Sequence, residues 1–563
     1  MFHKITNLNL LTLNKNQPKK KGQITTREEL IFALSWAAEL EHGLTCIYLF
    51  AAFTMKRFPE EGIDEVQQDQ IRNWQGTILA VAMQEMEHLG YVCNMLNAIG
   101  GAQHFNRPNL PQPPSYYSTN GAFTLEAFNK TTMKRFMEYE KPASTSDAEG
   151  TVMGSGLVPD LIHVSDGHTV QDLYDSILNG FKYLDEKLGK KKLFIGNEDA
   201  QLEDGDIVVG YANREYGIDL EKVVDLRTAI KAIDVIVEQG EGVILDHDPK
   251  APTKKRLSKL YQKVVLNAKA MQSLDFSNKG SGTKLVALGN KLLKNLSLVA
   301  PRARDKKMHA LLEKYSTKLK KLISKAEQSL SKTTKLATIR NKMVDIVIYD
   351  VEGILLSGFT EKDSHYLRFW NIYQEMQNIK YEPARNVVDN PALRHHADNT
   401  GQPIYKITHP YTYHTLEVFN ASYEVMVQML VLIFSFSGIS NTNRTLLINT
   451  AFFPLMTMVI RPLSEILTLL PADEDKKGFD APRAGPAFEY YLNIAQLSNT
   501  PQNWEFLYER LQQISDASNT LKAPDDLNLY LQPDLIKKVD QQVKSLQGNL
   551  ARIADNFKIG FDL

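Results

Sequence analysis

From Leu30 to Phe53 the chain reads Leu-Ile-Phe-Ala-Leu-Ser-Trp-Ala-Ala-Glu-Leu-Glu-His-Gly-Leu-Thr-Cys-Ile-Tyr-Leu-Phe-Ala-Ala-Phe, apolar almost throughout, with ionisable residues only in its middle. The preceding Thr26-Arg-Glu-Glu is a capping-box pattern, which satisfies the open backbone N–H groups of a helix start. A long, mostly interior helix is expected. A second apolar helix surrounds Gln84-Glu-Met-Glu-His-Leu, flanked by Ile78-Leu-Ala-Val-Ala-Met and Tyr91-Val-Cys-Asn-Met-Leu. Pro108-Asn-Leu-Pro-Gln-Pro-Pro then disfavours helix. Residues 122–142 form a short helix, 145–168 a Ser-, Gly- and Asp-rich loop able to approach a site, and Val170–Lys191 a further helix. Irregular structure over 194–206 leads into an apolar helical run from Ala229 that ends in Glu238 and Glu241. Helix resumes from Thr415 to Leu470, with turns near Gly438 and Pro454. Its most apolar part, Val425–Ile433, is shorter than a bilayer span and reads as a buried helix.

Length and charge divide this mostly α pattern further. A chain of 563 residues can bury a large core and should hold two or more helical subdomains. The net charge of −1 conceals a segregation: Lys250–Arg340 carries 23 Lys and Arg against four acids, a net of +19, leaving −20 elsewhere. Within that block Leu311, Leu312, Tyr315, Leu319, Leu322 and Ile323 recur on one side, while Lys314, Lys318, Lys320, Lys321 and Lys325 fill the rest. The favoured reading is an inserted helical unit whose lysine face is solvated or packs on the acidic remainder or a second subunit. An anionic membrane or an acidic protein surface is the alternative partner for residues 250–340. No zinc-finger, phosphate-loop or base-stacking motif accompanies the lysines, which argues against nucleic acid. Two cysteines, Cys46 and Cys93, exclude a disulfide scaffold and suit a reducing compartment. The first 24 residues lack the apolar core and cleavage site of a secretory signal, so a cytoplasmic chain with a loose leader is expected.

The candidate chemistry lies in the apolar helices. Glu85 and His88, three positions apart, share one helical face and can converge on one ion. Left unpaired in an interior, such groups cost several kcal/mol. Alone, a Glu-x-x-His is more often an ordinary buried ion pair; Glu41 in a second apolar helix shifts the balance toward a metal. Glu39, Glu41 and His42 cannot all face one way, so Glu39 and His42 are expected to be solvated or capped. Bundles that hold paired iron or manganese ions draw one Glu from each of two helices and a Glu-x-x-His from each of the other two. Glu41 with Glu85 and His88 is half of that set. Candidates for the other half are Glu238, Glu241 and His365, but Lys362 stands where a second Glu-x-x-His needs its acid. An asymmetric centre is therefore expected. Adjacent His395 and His396 point apart and read as exposed.

Several segments then follow a familiar order: Ala38-Glu-Leu-Glu-His, Val81-Ala-Met-Gln-Glu-Met-Glu-His-Leu, Leu193-Phe-Ile-Gly, Ile236-Val-Glu-Gln-Gly-Glu-Gly and Ser364-His-Tyr-Leu-Arg-Phe, with Glu140-Lys-Pro, Phe419-Asn-Ala-Ser-Tyr and Ala484-Gly-Pro-Ala-Phe-Glu. Together, from Thr25 to Glu489, they resemble the ferritin-like domain of the iminophenyl-pyruvate dimer synthase family of the violacein and rebeccamycin pathways. The resemblance implies a ferritin-like helical bundle over 25–247, closed by 344–380. A basic helical insertion over 248–343 interrupts it, and a mostly helical C-terminal region over 381–563 follows. It also implies Glu41, Glu85, His88 and His365 as metal ligands, with Glu238 or Glu241 as the third-helix carboxylate; both serve if one bridges. The implied function is a non-haem iron oxidoreductase with one or two ions, manganese being the alternative metal. It would use dioxygen or peroxide on a small organic substrate, an amino-acid-derived imine or keto acid in oxidative coupling. Glu241, or Glu238, is the candidate general base where the metal does not need it. The competing reading is a non-catalytic ferritin-like metal-binding or structural protein docked through its basic insertion. An apolar pocket beside the metals would separate the two. The large apolar faces of such bundles also suit a homodimer.

Overall fold

In a computed structural model, the described residues are 23–117, 121–141, 170–203, 220–240, 252–278, 280–297, 306–357, 364–394, 403–435, 439–491 and 499–563. They are overwhelmingly helical; their one named sheet is a parallel pairing of Pro391–Ala392 with Tyr405–Lys406. The first half carries α1 (Arg27–Thr54), α2 (Glu65–Ala98), α3 (Lys130–Tyr139), α4 (Val170–Leu188) and α5 (Leu226–Gly240). The basic block follows as α6 (Pro252–Gln272), α7 (Ser281–Ser297), α8 (Lys306–Glu327) and α9 (Thr333–Ile346). Next come α10 (His365–Met376), α11 (Pro410–Ile433), α12 (Pro501–Asn519) and α13 (Pro533–Gly560).

The start of α1 is the capping box expected from its sequence. The Thr26 hydroxyl accepts from the Glu29 amide at 3.2 Å, and the Glu29 carboxylate accepts from the Thr26 amide at 3.1 Å. α1 and α2 pair along their lengths; α4 packs on α1 and α5, and α10 lies against α2, α3 and α5. The second half of α2, from Ile78 to Ala98, is mostly buried, which fits its apolar composition on several sides.

The amphipathic pattern of the basic block is realised in α8. Leu312, Tyr315, Leu319 and Ile323 are buried while Lys314, Lys318, Lys320, Lys321 and Lys325 are exposed; Leu311 and Leu322 are half-buried. The block is fastened to α10 by the Tyr315 hydroxyl, which donates to Gln374 at 3.0 Å. A second fastening is the ion pair of Lys141 with Glu352, at 2.6 Å, in the helix that continues α9.

Two expectations change. Pro454 makes no turn: it sits inside a continuous helical stretch from Asn441 to Leu467, between π-helical turns at Ile448–Phe452 and Met456–Ile460. Proline lacks an N–H and crowds the carbonyl four residues back, and a wider turn accommodates both defects without ending the helix. The apolar Val425–Ile433 segment belongs to the 24-residue α11, so its length does not distinguish it from a membrane span. By length and composition α1, α11 and Thr442–Leu467 could each cross a membrane, yet the apolar windows of α1 and α11 are 72% and 78% buried inside the protein. The segments 1–22, 142–169 and 395–402, which include the expected leader, the Ser/Gly/Asp-rich loop and His395–His396, lie outside the described residues.

Candidate metal centre

Five side chains from four helices meet in the core: Glu41 from α1, Glu85 and His88 from α2, Glu140 at the C-terminal end of α3, and His365 at the first position of α10. None exposes more than 4% of its surface. Helical spacing turns Glu85 and His88 to the same side, and their Oε2 and Nδ1 atoms lie 3.0 Å apart. Glu85 occupies the middle. Its Oε2 faces His88, and its Oε1 lies 2.9 Å from Nδ1 of His365. Glu41 closes the first side, 3.7 Å from His88 Nδ1, and Glu140 closes the second, 3.6 Å from His365 Nδ1. The result is two three-ligand groups, Glu41–Glu85–His88 and Glu85–Glu140–His365, sharing one carboxylate.

The surrounding hydrogen bonds hold each ligand from behind. His88 Nε2 meets Gln239 Oε1 at 2.9 Å and His365 Nε2 meets Gln84 Oε1 at 3.2 Å, so each ring presents Nδ1 to the cluster. Outer partners of this kind fix tautomer and ring orientation in metal sites. The Tyr174 hydroxyl donates to Glu41 and the Tyr48 hydroxyl to Glu140, which steadies both outer carboxylates.

The inner atoms behave differently. Although Glu85 Oε1 and His365 Nδ1 are 2.9 Å apart, neither has a partner in hydrogen-bond geometry. Buried polar atoms are almost always satisfied, and a cation held by both atoms would satisfy them. Three carboxylates and two imidazoles also match the preference of iron and manganese for oxygen and nitrogen donors. The residues fit a metal pair.

Electrostatics agree with this fit. Burial, with the nearby Glu85 charge, pushes the Glu41 carboxyl up to about 8, and the same two causes raise Glu140. Burial also pushes Glu85 upward, but His365 and His88 on either side override it and hold Glu85 well below the usual carboxylate range. Burial works against protonating His88 and His365; Glu85, Glu41 and Glu140 more than offset it and raise both imidazoles. Metal-free, the cluster thus retains protons that a bound cation would displace.

The structure brings Glu41, Glu85, His88 and His365 together, and among the described residues the further carboxylate in the cluster is Glu140. Glu238 is exposed: Ile233, Ile236, Val237 and Gly240 turn the buried face of α5 inward, and one further residue rotates Glu238 about 100° beyond Val237. Glu140 was not foreseen as a ligand: it sits in a quoted motif but without a Glu-x-x-His spacing on its helix. Glu241 and Lys362 lie outside the described residues. Nor is His42 solvated. It is buried on another face of α1, with Nε2 2.7 Å from the Tyr423 hydroxyl, while Glu39 pairs with His104 at 2.8 Å. Among the described residues the cavity against the cluster measures about 10 Å³ and is walled on its outer side by Val170, Gln171, Val237 and Gly240.

Around this helical core with its carboxylate–histidine cluster, residues 34–263 match the Ferritin-like family. The chain carries a ferritin-like domain. Beyond the class, the chain is similar to dichlorochromopyrrolate synthase of Lentzea aerocolonigenes, at 22% identity over 502 residues, covering 83% of this chain and 36% of that relative. It therefore spans little more than a third of the length of that curated relative. A crystal structure of a ferritin-like protein from Caulobacter vibrioides shares 17% identity and covers 43% of this chain and 84% of its own, with a TM-score of 0.27. The resemblance drawn from motif order is thus met by a ferritin-like domain and a distant synthase relative.

Proposed function

We propose that the chain is a non-haem oxidoreductase with a dinuclear iron centre, acting with dioxygen or peroxide on a small organic substrate. The observation that carries this reading is Glu85, whose two oxygens each face a different histidine, with one further carboxylate completing each side. When bound, a pair of iron ions supplies one-electron chemistry and open positions for an oxygen donor. Around it, Gln239 and Gln84 keep the Nε2 protons of His88 and His365 away from the centre, leaving Nδ1 to ligate. Tyr174 and Tyr48 hold Glu41 and Glu140 in place, and the packed core excludes water. Glu41, whose carboxyl is pushed up to about 8 by burial, would give up its proton to ligate an ion. Manganese is the alternative occupant.

The motif resemblance and the synthase relative support an amino-acid-derived imine or keto acid as substrate, joined by oxidative coupling. A second reading, a ferritin-like metal-binding protein with no organic substrate, draws support from the cavity of about 10 Å³, which is the room one water needs. One experiment separates them. Purified protein loaded anaerobically with ferrous iron should hold two equivalents, and its oxygen uptake should rise on adding aryl keto acid with ammonium. Two equivalents with substrate-independent oxygen uptake would favour the metal-binding reading, and less than about a tenth of an equivalent would exclude both.

A further inference from the structure

A second concavity lies in the C-terminal half and shares no residue with the carboxylate cluster. It is a cleft of about 320 Å³ between α11 and α12, lined also by Leu393, Arg394 and Tyr491. Small side chains line it from both helices, Ala421 on α11 and Ala517 on α12. Val418 and Ile514 add an apolar floor.

The rest of the lining is polar and includes Arg394, Arg510 and Glu417. The Arg394 guanidinium lies over the Tyr491 ring, 4.4 Å from its centroid, and donates to the Tyr491 carbonyl at 3.3 Å. Arg510 donates to the Gln513 side-chain oxygen at 2.7 Å. Both cations thus contact neutral oxygens and a ring, and among the described residues neither forms an ion pair. The acid on the wall, Glu417, is engaged by His414 at 3.2 Å. Glu424, two turns further along α11, is pushed toward its neutral form by burial, with Arg510 and Arg394 opposing that shift. Two guanidinium forks, one of them over the Tyr491 ring, together with the aliphatic Val418 and Ile514 match a planar anion with a flat apolar body. The volume is at the small end of ligand pockets, enough for a bicyclic ring acid and far too small for a peptide or nucleic acid.

We propose that the cleft between α11 and α12 is a binding site for a small aromatic carboxylate, held at its acid end by Arg394 and Arg510. The site is separate from the metal centre. The test is calorimetric titration of the full chain with 2-naphthoate in the presence of a chelator, so that coordination to an ion cannot mimic binding. The wild type should show saturable, one-to-one binding, with the uncharged 2-naphthamide at least about tenfold weaker. Arg510→Gln and Arg394→Gln should each weaken naphthoate by about tenfold and leave naphthamide unchanged, with unaltered thermal unfolding. Ala517→Leu, which fills the slot, should abolish binding of both. Absence of saturable binding, equal affinity for acid and amide, or full naphthoate affinity in the Arg394→Gln/Arg510→Gln double variant would overturn the proposal.

Discussion

The lysine-rich insertion and the carboxylate–histidine cluster both concentrate one kind of charge, and they resolve it in opposite ways. In α8 the charged residues stand in water, where like charges cost little, and the apolar stripe alone decides which side is buried. In the cluster three carboxylates are almost fully enclosed, so each must be protonated, paired or bound to a cation. Surface charge is tolerated without a partner; buried charge requires one. That is why the first region can be altered residue by residue, whereas the second acts as a unit.

The sharpest way to break the comparison is at Glu85. Glu85→Ala should remove both ions at once, from two equivalents to below about 0.2 by metal analysis, since losing a ligand shared by both groups costs more than the 10- to 100-fold of an outer partner. Glu140→Ala should cost one ion and spare the Glu41–His88 half; retention of both ions would show that Glu140 is not a ligand. In the insertion the largest effect should come from the apolar stripe. Leu319→Ala is expected to destabilise the protein by about 2–5 kcal/mol in urea unfolding, through loss of buried contacts and the cavity left behind.

A smaller effect concerns pH. Glu41, His88 and His365 all hold their protons more tightly folded than unfolded. Their contribution to the metal-free fold is therefore present at low pH and is lost as pH rises, for Glu41 between its ordinary 4.5 and about 8. Scanning fluorimetry should find the metal-free protein losing stability from pH 5 to 8.5, and the iron-loaded protein losing much less. The opposite trend would mean that the cluster does not hold these protons. Smallest of all, Lys318→Gln with Lys321→Gln should change unfolding free energy by no more than about 0.5 kcal/mol, because both side chains are solvated.

Much of this protein was legible before folding. The capping box at Thr26, the Glu85–His88 spacing and the apolar stripe of α8 are local patterns, and a helix of 3.6 residues per turn converts each directly into a face. Glu238 shows the limit of that logic: its place near the end of an apolar run suggested a ligand, yet the same periodicity, applied one residue more finely, turns it outward. Pro454 shows another limit, because its tolerance depends on wide turns on both sides of it.

The sequence by itself determined the helices, their buried stripes and half of the cluster, since these follow from spacing within one element. Only the tertiary structure decided that Glu140 completes the second half, that Tyr48, Tyr174, Gln84 and Gln239 hold the ligands, and that Glu85 stands between two histidines. Those residues come from segments far apart in the chain, and no local period encodes which distant acid a buried histidine will meet.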